Sequence, residues 1–258
     1  MKKLINILLA VLIILMAAGC SSDSNSEKTL DSEVMKKGVL IVGTSPDYPP
    51  FESLDTSGNI VGADIDMINE LVKYIKTAEG EQYTVEFVAM DFSTIISALQ
   101  TGQVDVGISA FSYNPDRKCL FSDPYYDSAQ VVAVGKNSGI SSLADLNGKL
   151  VAAGTGTVGW DAASAIEGVK MTAAGDYQQQ FELLRVNQID AVVCDETVAL
   201  GYVRSSDDFR ILSEYLTEDK LCITVAEGNQ NILAAINNAI SQYNATSMPD
   251  QIREKWGI

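Results

Sequence analysis

The chain has no histidine, and that absence removes several chemistries. Without an imidazole there is no Ser-His-Asp triad, no histidine-ligated zinc and no imidazole general base. Positive charge is scarce too: 18 Lys and Arg face 34 Asp and Glu in 258 residues, a formal net charge of −16. A phosphate backbone finds no basic stripe here, so nucleic acid is not expected as a partner. Cysteine is sparse, and Cys119, Cys194 and Cys222 lack CxxC spacing. Neither a metal site nor thioredoxin-like chemistry is indicated, and no cofactor is expected. Buried structural thiols are the simpler reading; one disulfide among the three is open, with no pair favoured. What is present is ordinary for a globular protein, with 47% apolar residues. The length suits one large or two small domains.

The first residues read as an address. Lys2 and Lys3 precede an apolar run over residues 7–18. That is shorter than the roughly 20 residues a membrane-spanning helix needs, and it fits a signal-peptide core. The run ends in Ala17-Ala18-Gly19-Cys20, which resembles a bacterial lipobox with alanine where leucine is usual. A plain secretory signal with a chance cysteine is the alternative. The expectation is a lipoprotein signal peptide over 1–19, a lipid (diacylglyceryl, palmitate) on Cys20 and a polar, flexible tether over 20–35. The protein would then be extracytoplasmic and anchored to the cell membrane through that lipid, because its acidic surface has no affinity for anionic lipid.

Beyond the tether, strands and helices alternate. Strands are expected at 39–43, 83–89, 104–109, 130–135, 150–153, 169–172, 189–194 and 221–225. Helices are expected after the 55–59 turn, with Ile65, Ile68, Leu71, Val72 and Ile75 on one face, and then at 93–101, 142–146, from 159, and at 177–186, 196–202, 231–243 and 249–255. This alternation argues for an α/β fold with largely parallel sheets. An internal echo sharpens it: Leu99 to Val106 (LQTGQVDV) matches Leu184 to Ala191 (LRVNQIDA) at an offset of 85 residues. Each copy is a helix end, a turn and the start of a strand. Two such units imply two similar lobes, with Ser109-Ala110 and Cys194-Asp195 at equivalent strand ends. Ligands of open α/β sheets bind beyond such ends.

Several ordered segments carry a resemblance. They are VGTSPDYPPFESLDTSGNIVGADIDM (42–67), MDFSTIISALQTGQVDVGISAFSYNPDR (90–117), FSDPYY (121–126), LADLNGKLVAAGTGTVG (143–159) and IDAVVCDE (189–196). Together they resemble the polar amino-acid-binding proteins of ABC importers, solute-binding protein family 3, including the glutamine- and lysine-arginine-ornithine-binding branches. The resemblance implies a two-lobed periplasmic-binding-protein-like fold of type II. Its lobe 1 would comprise 36–128 and 217–258, and its lobe 2 would be 129–216. Hinge strands near 128–131 and 212–216 would join them, with the ligand cleft between. It implies an extracytoplasmic substrate-binding lipoprotein, monomeric and without catalysis, that hands a free amino acid to the transmembrane subunits of an ABC permease.

The site chemistry follows the ligand. An α-carboxylate is best held by a guanidinium, and Arg117, after the turn-forming Asn114-Pro115-Asp116, is the basic candidate and matches the family's arginine. Ser112 falls where the family has an assisting hydroxyl. Thr157 and the N–H of Val158 sit at a helix entrance that favours an anion. The α-ammonium needs an anionic acceptor; Asp195 matches the family's aspartate, with Ala110 beside it, and Asp195 could equally cap the helix that follows. Tyr48 and Phe92 match rings that sandwich the ligand. Ser45, Glu52 and Gly154 fall at the side-chain end: Ser45 replaces an aspartate used by many relatives, Gly154 a lysine and Cys194 a histidine of the glutamine branch. The segment between Arg117 and Phe121 is two residues shorter than in relatives. Asp47, Asp64 and Asp91 lie close in sequence, with capping as their simpler role. Apart from Lys149, ahead of the strand that leads to Gly154, no further cation occurs in these segments, so neutral polar or basic amino acids are favoured over acidic ones.

Two rivals remain. Gly154 to Gly159 reads GxGxxG between a strand and a helix, with Asp176 placed like a ribose-binding acid, the pattern of a dinucleotide-binding oxidoreductase. The same fold also carries dehydratases and sensor modules, although no acid/base pair stands out.

Overall fold

The computed structural model describes residues 38–77 and 79–258. The signal peptide expected over 1–19, Cys20 and the tether expected over 20–35 lie outside the described residues. Among the described residues, no helix is long and apolar enough to cross a membrane.

In chain order the strands are β1 (Val39–Thr44), β2 (Asp47–Tyr48), β3 (Glu52–Leu54), β4 (Ile60–Val61), β5 (Thr84–Ala89), β6 (Val106–Ser112), β7 (Leu120–Phe121), β8 (Tyr126–Gly135), β9 (Leu150–Ala153), β10 (Lys170–Thr172), β11 (Ala191–Asp195), β12 (Phe209–Ile211) and β13 (Thr217–Val225). The helices are α1 (Ala63–Leu71), α2 (Phe92–Gln100), α3 (Val158–Ser164), α4 (Tyr177–Arg185), α5 (Glu196–Ser205), α6 (Gln230–Asn244) and α7 (Met248–Trp256). The expected helix at 142–146 is a single 3-10 turn, Leu143–Leu146. β2, β3 and β4 make a small antiparallel sheet around the 55–59 turn.

The other strands form one continuous sheet in the order β10-β9-β11-β8-β13-β6-β1-β5, with β12 on β8 and β7 on β13. Its two ends are parallel trios, β5-β1-β6 and β10-β9-β11, each covered by helices. These are the two lobes. β6 and β11 are buried along their whole length, as strands covered on both faces must be. The middle of the sheet departs from the expected parallel pattern: β11–β8, β8–β13 and β13–β6 are all antiparallel. The reason is topological. A chain that leaves one lobe and later returns must cross once in each direction.

Residues 126–130 of β8 pair with 217–221 of β13. The second crossing segment therefore lies just beyond the expected 212–216. Both strands change character along their length. The crossing half is partly exposed and carries polar residues (Asp127, Ser128, Glu218, Lys220), whereas the half inside a lobe is buried and apolar. Hydrophobic periodicity detects only the buried half, which is why the expected strands at 130–135 and 221–225 were too short.

The internal echo is exact in backbone detail. Gly102 N–H bonds Leu99 O (3.1 Å) and Gln103 N–H bonds Ala98 O (2.9 Å); Asn187 N–H bonds Leu184 O (3.1 Å) and Gln188 N–H bonds Leu183 O (2.9 Å). Each is a Schellman helix end with a left-handed residue, Gly102 at φ 70° and Asn187 at φ 55°. Asp105 then accepts from Ile41 N–H and Asp190 from Leu150 N–H, both at 2.8 Å, and so each copy aligns its strand against its neighbour. The two lobes are two executions of one unit. Gly102→Ala puts a Cβ in the left-handed conformation and should cost about 1 kcal/mol, whereas Asn187→Gly should be close to neutral. Urea unfolding midpoints of the two variants check this.

Candidate functional site

The carboxyl ends of the strands in the two trios face each other. The loops after β1, β5, β6, β9 and β10, the end of β11, and Gln130 of β8 enclose a cavity of about 500 Å³. That is a typical size for a small-ligand pocket. Of the residues singled out in the sequence, Ser45, Tyr48, Phe92, Ala110, Ser112, Arg117, Gly154, Thr157, Val158 and Asp195 line it. Glu52 does not. It is wholly buried behind the wall, where its Oε1 accepts from Ser109 Oγ (3.0 Å), so its expected place among the side-chain contacts is corrected.

Arg117 reaches the cavity from the loop after β6. Nη1 donates to Ser112 O (3.0 Å) and Nη2 to Gly156 O (2.8 Å), the latter across the cleft in the other lobe. Its guanidinium carbon lies 5.4 Å from the Phe92 ring centre and 5.2 Å from that of Phe111, and these two rings stack at 4.6 Å. Phe92 is therefore also the floor on which the arginine rests. Burial pulls the guanidinium pKa down from its usual value.

Asp195 closes β11 and begins α5, yet its side chain makes no helix cap. Its Oδ2 accepts from Tyr48 Oη (2.5 Å), its Oδ1 from Ser128 Oγ (2.5 Å), and its own N–H donates to Tyr48 Oη (2.9 Å). Tyr48 belongs to the opposite lobe, so these bonds bridge the cleft. Burial pushes the Asp195 carboxyl up to about 6, against the lowering effect of the Ser128 and Tyr48 hydroxyls. The Tyr48 ring packs against Tyr177, a residue the sequence reading placed only in a helix, at 4.7 Å.

The β6 strand carries a bulge at the cavity. Ile108, Ser109 and Ala110 together oppose Ile223 alone, and Ala110 is left-handed at φ 44°. The bulge turns Ser109 and Ala110 into the pocket wall. Thr157 has its hydroxyl fully engaged: it donates to Gly154 O (2.8 Å) and accepts from Trp160 N–H (3.1 Å). Gly154 is required by close packing. A Cβ there would lie 2.8 Å from Tyr177 Oη and 2.9 Å from Thr157 Cγ2. Tyr177 Oη also accepts from Gly154 N–H (3.1 Å), so it occupies the space where the resemblance placed a lysine. In the GxGxxG stretch, Gly156 supplies the left-handed turn, and Gly159 admits Gln130, whose Oε1 would lie 2.5 Å from a Cβ. Packing accounts for Gly154 and Gly159, and backbone conformation for Gly156.

Four aspartates line the cavity: Asp47, Asp91, Asp176 and Asp195; Arg117 is the cation on its lining. Asp91 stands at the N-cap position of α2 without capping it, whereas Asp176 does cap α4 through Gln179 N–H (2.7 Å). Asp47 is pushed above its usual pKa, chiefly by burial and then by the charges of Asp176 and Asp91, while the Ser45 hydroxyl (2.8 Å) opposes the shift. Cys119, Cys194 and Cys222 are buried free thiols. Sequence reasoning missed Gln130, Tyr177 and Gln179. The last two follow β10, and applying the strand-end rule to that loop would have found them.

Comparison with known proteins agrees with this geometry. The family model described as bacterial extracellular solute-binding proteins, family 3, matches residues 40–258. The arginine-binding extracellular protein ArtP of Bacillus subtilis is 30% identical over 99% of this chain and 98% of its own length. The structure of an ancestral arginine-binding protein bound to arginine superimposes with a TM-score of 0.78 at 36% identity, covering 85% of this chain and 98% of that one. An ancestral amino acid-binding protein, AncCDT-1, described as a precursor of cyclohexadienyl dehydratase, gives 0.77 at 32% identity, over 88% and 99%. Tyr48→Phe keeps the ring but removes both hydroxyl bonds to Asp195. It should lower stability by about 1–3 kcal/mol and speed hydrogen exchange at the Asp195 amide, as measured by unfolding and by exchange mass spectrometry.

Proposed function

Because the chain belongs to the bacterial extracellular solute-binding proteins, family 3, we propose that its cleft captures a free amino acid with a cationic side chain, arginine foremost. It then delivers that amino acid to the membrane subunits of an ABC importer. The observation that carries this is the charge of the cavity, four carboxylates to one guanidinium. Arg117 takes the ligand α-carboxylate, with Ser112, Thr157 and the Val158 N–H around it. Asp195 takes the α-ammonium, with the Ala110 backbone beside it. That leaves Asp47, Asp91 and Asp176, whose mutual repulsion a guanidinium or ammonium side chain relieves and a carboxylate side chain worsens. The arginine named for two of the similar proteins supports the same choice. Neutral polar amino acids rank below basic ones in this reading, and acidic ones last.

Lobe 1 comprises 36–128 and 217–258, and lobe 2 comprises 129–216, with the β8–β13 ladder as the hinge. Ligand contacts on both sides stabilise the closed form by their differential affinity, and a monomer in that form docks on the permease. We read the chain as a binding protein rather than an enzyme. The relation to a dehydratase precursor is the reason to test turnover directly, by product analysis after long incubation with the best ligand. Lipid on Cys20, after removal of 1–19, holds the protein at the outer face of the cell membrane.

A thermal-shift screen of free amino acids should rank arginine and lysine above glutamine, and glutamine above glutamate. Arg117→Ala should weaken the best ligand roughly 30-fold or more in calorimetry, because one charge of a buried pair is left alone. Asp47→Asn and Asp176→Asn should instead narrow the gap between arginine and glutamine. Affinity should also depend on pH. Asp195 has a raised pKa of about 6 and must be ionised to accept an ammonium. Binding is therefore strong above that pH and weakens as pH falls through it, by up to about tenfold per unit. Cys20→Ala should release the protein from membranes on fractionation; full retention would refute the anchor.

A further inference from the structure

Behind the bulge of β6 lies a pair of carboxyl groups that the ligand chemistry does not use. Glu52, on β3, and Asp64, on α1, are both buried, and neither is matched by a buried cation. Their hydrogen bonds run to neighbouring points of the cavity wall. Glu52 Oε1 accepts from Ser109 Oγ (3.0 Å), and Ser109 Oγ in turn accepts from the N–H of Ser45 (3.1 Å). Asp64 Oδ2 accepts from Ala110 N–H (3.0 Å) and from Tyr125 Oη (2.9 Å). Glu52 Oε2 is fully enclosed and, as an unprotonated oxygen, has no donor. A buried, unpartnered carboxylate oxygen is expensive, and two adjacent buried carboxylates are more so. One proton resolves both costs: placed on Glu52 Oε2, it turns the orphan into a donor toward the neighbouring carboxylate.

We propose that Glu52 and Asp64 share a single proton, Glu52 as neutral acid and Asp64 as carboxylate, and act as positioning residues for the lobe-1 wall of the ligand cavity. Asp64 holds the left-handed Ala110 through its N–H, and Glu52 holds Ser109 and through it Ser45. Ala110 is an L-residue in a conformation that normally favours glycine, so it needs such an external hold. The groups facing the pair are consistent with one shared proton. Burial and the Asp64 charge push the Glu52 pKa well above the usual carboxyl range, with Asp47 adding to the effect and Ser109 opposing it. Burial raises Asp64 too, but only to about 6, because Ala110 N–H, Tyr125 and Glu52 all donate to it, while the Asp195 charge adds a little to the rise. The functional part of this proposal rests on the amino-acid reading of the cavity; the proton does not.

The test compares Glu52→Gln, whose amide can accept from Ser109 and donate to Asp64, with Glu52→Leu, which can do neither. Infrared spectroscopy of the ligand-free protein at neutral pH should show the C=O stretch of a protonated carboxyl group, absent from Glu52→Gln. Glu52→Gln should keep the unfolding midpoint of the parent and bind arginine within about threefold, whereas Glu52→Leu should weaken binding about tenfold or more. A spectrum lacking that band in the parent, or retaining it in Glu52→Gln, overturns the proposal, and so does a Gln variant as impaired as the Leu variant. If the parent binds no amino acid, the functional reading fails, yet the infrared band and the unfolding midpoints still decide the shared proton.

Discussion

The crossing of the chain between its lobes is the constraint from which the site follows. Five residue pairs, between 126–130 of β8 and 217–221 of β13, join two α/β units that otherwise have separate sheets. Because the crossings run in opposite directions, the parallel trios on either side present their carboxyl ends to the same space. Every loop that lines the cavity leaves one of those ends. The ladder is also where the two strands exchange buried apolar residues for exposed polar ones.

Charge is the second organising principle. Carboxylates ordinarily stay in water, yet six are drawn to or behind the cavity: Asp47, Asp91, Asp176 and Asp195 on its lining, Glu52 and Asp64 beneath it. Several are held above their usual pKa by burial, which is the signature of a site rather than of a stable core. The hydroxyls of Tyr48, Ser128, Ser45 and Ser109 carry part of that cost. Under the proposed function, a cationic ligand side chain relieves the remainder.

Much of this was legible in the sequence. The repeat of LQTGQVDV as LRVNQIDA marked the two-unit plan, because a Schellman end and a strand-aligning aspartate have strict local requirements. Fifteen of the twenty residues on the cavity lining lie in the ordered segments. What was hidden depends on contacts distant in sequence. The crossing halves of β8 and β13 are polar on both faces and carry no periodic signal. Glu52 sits next to a cavity-lining segment but turns away from it, and nothing local distinguishes those orientations. Asp195 is placed for a helix cap, and only its distant partners Tyr48 and Ser128, 147 and 67 residues away, show that its side chain points elsewhere.

The contact between Gly154 and Tyr177 bears on how this pocket could change over evolutionary time. With Tyr177 in place, a side chain of any size at position 154 collides with its hydroxyl. With Gly154 in place, shortening Tyr177 leaves a gap in the wall and removes the aromatic neighbour of Tyr48. Each single step is penalised, although the pair of changes could open a different side-chain pocket. The two positions are therefore epistatic, and a new ligand range through them requires both changes together. Such a coupled pair would preserve the present specificity in a lineage long after neighbouring surface positions have diverged.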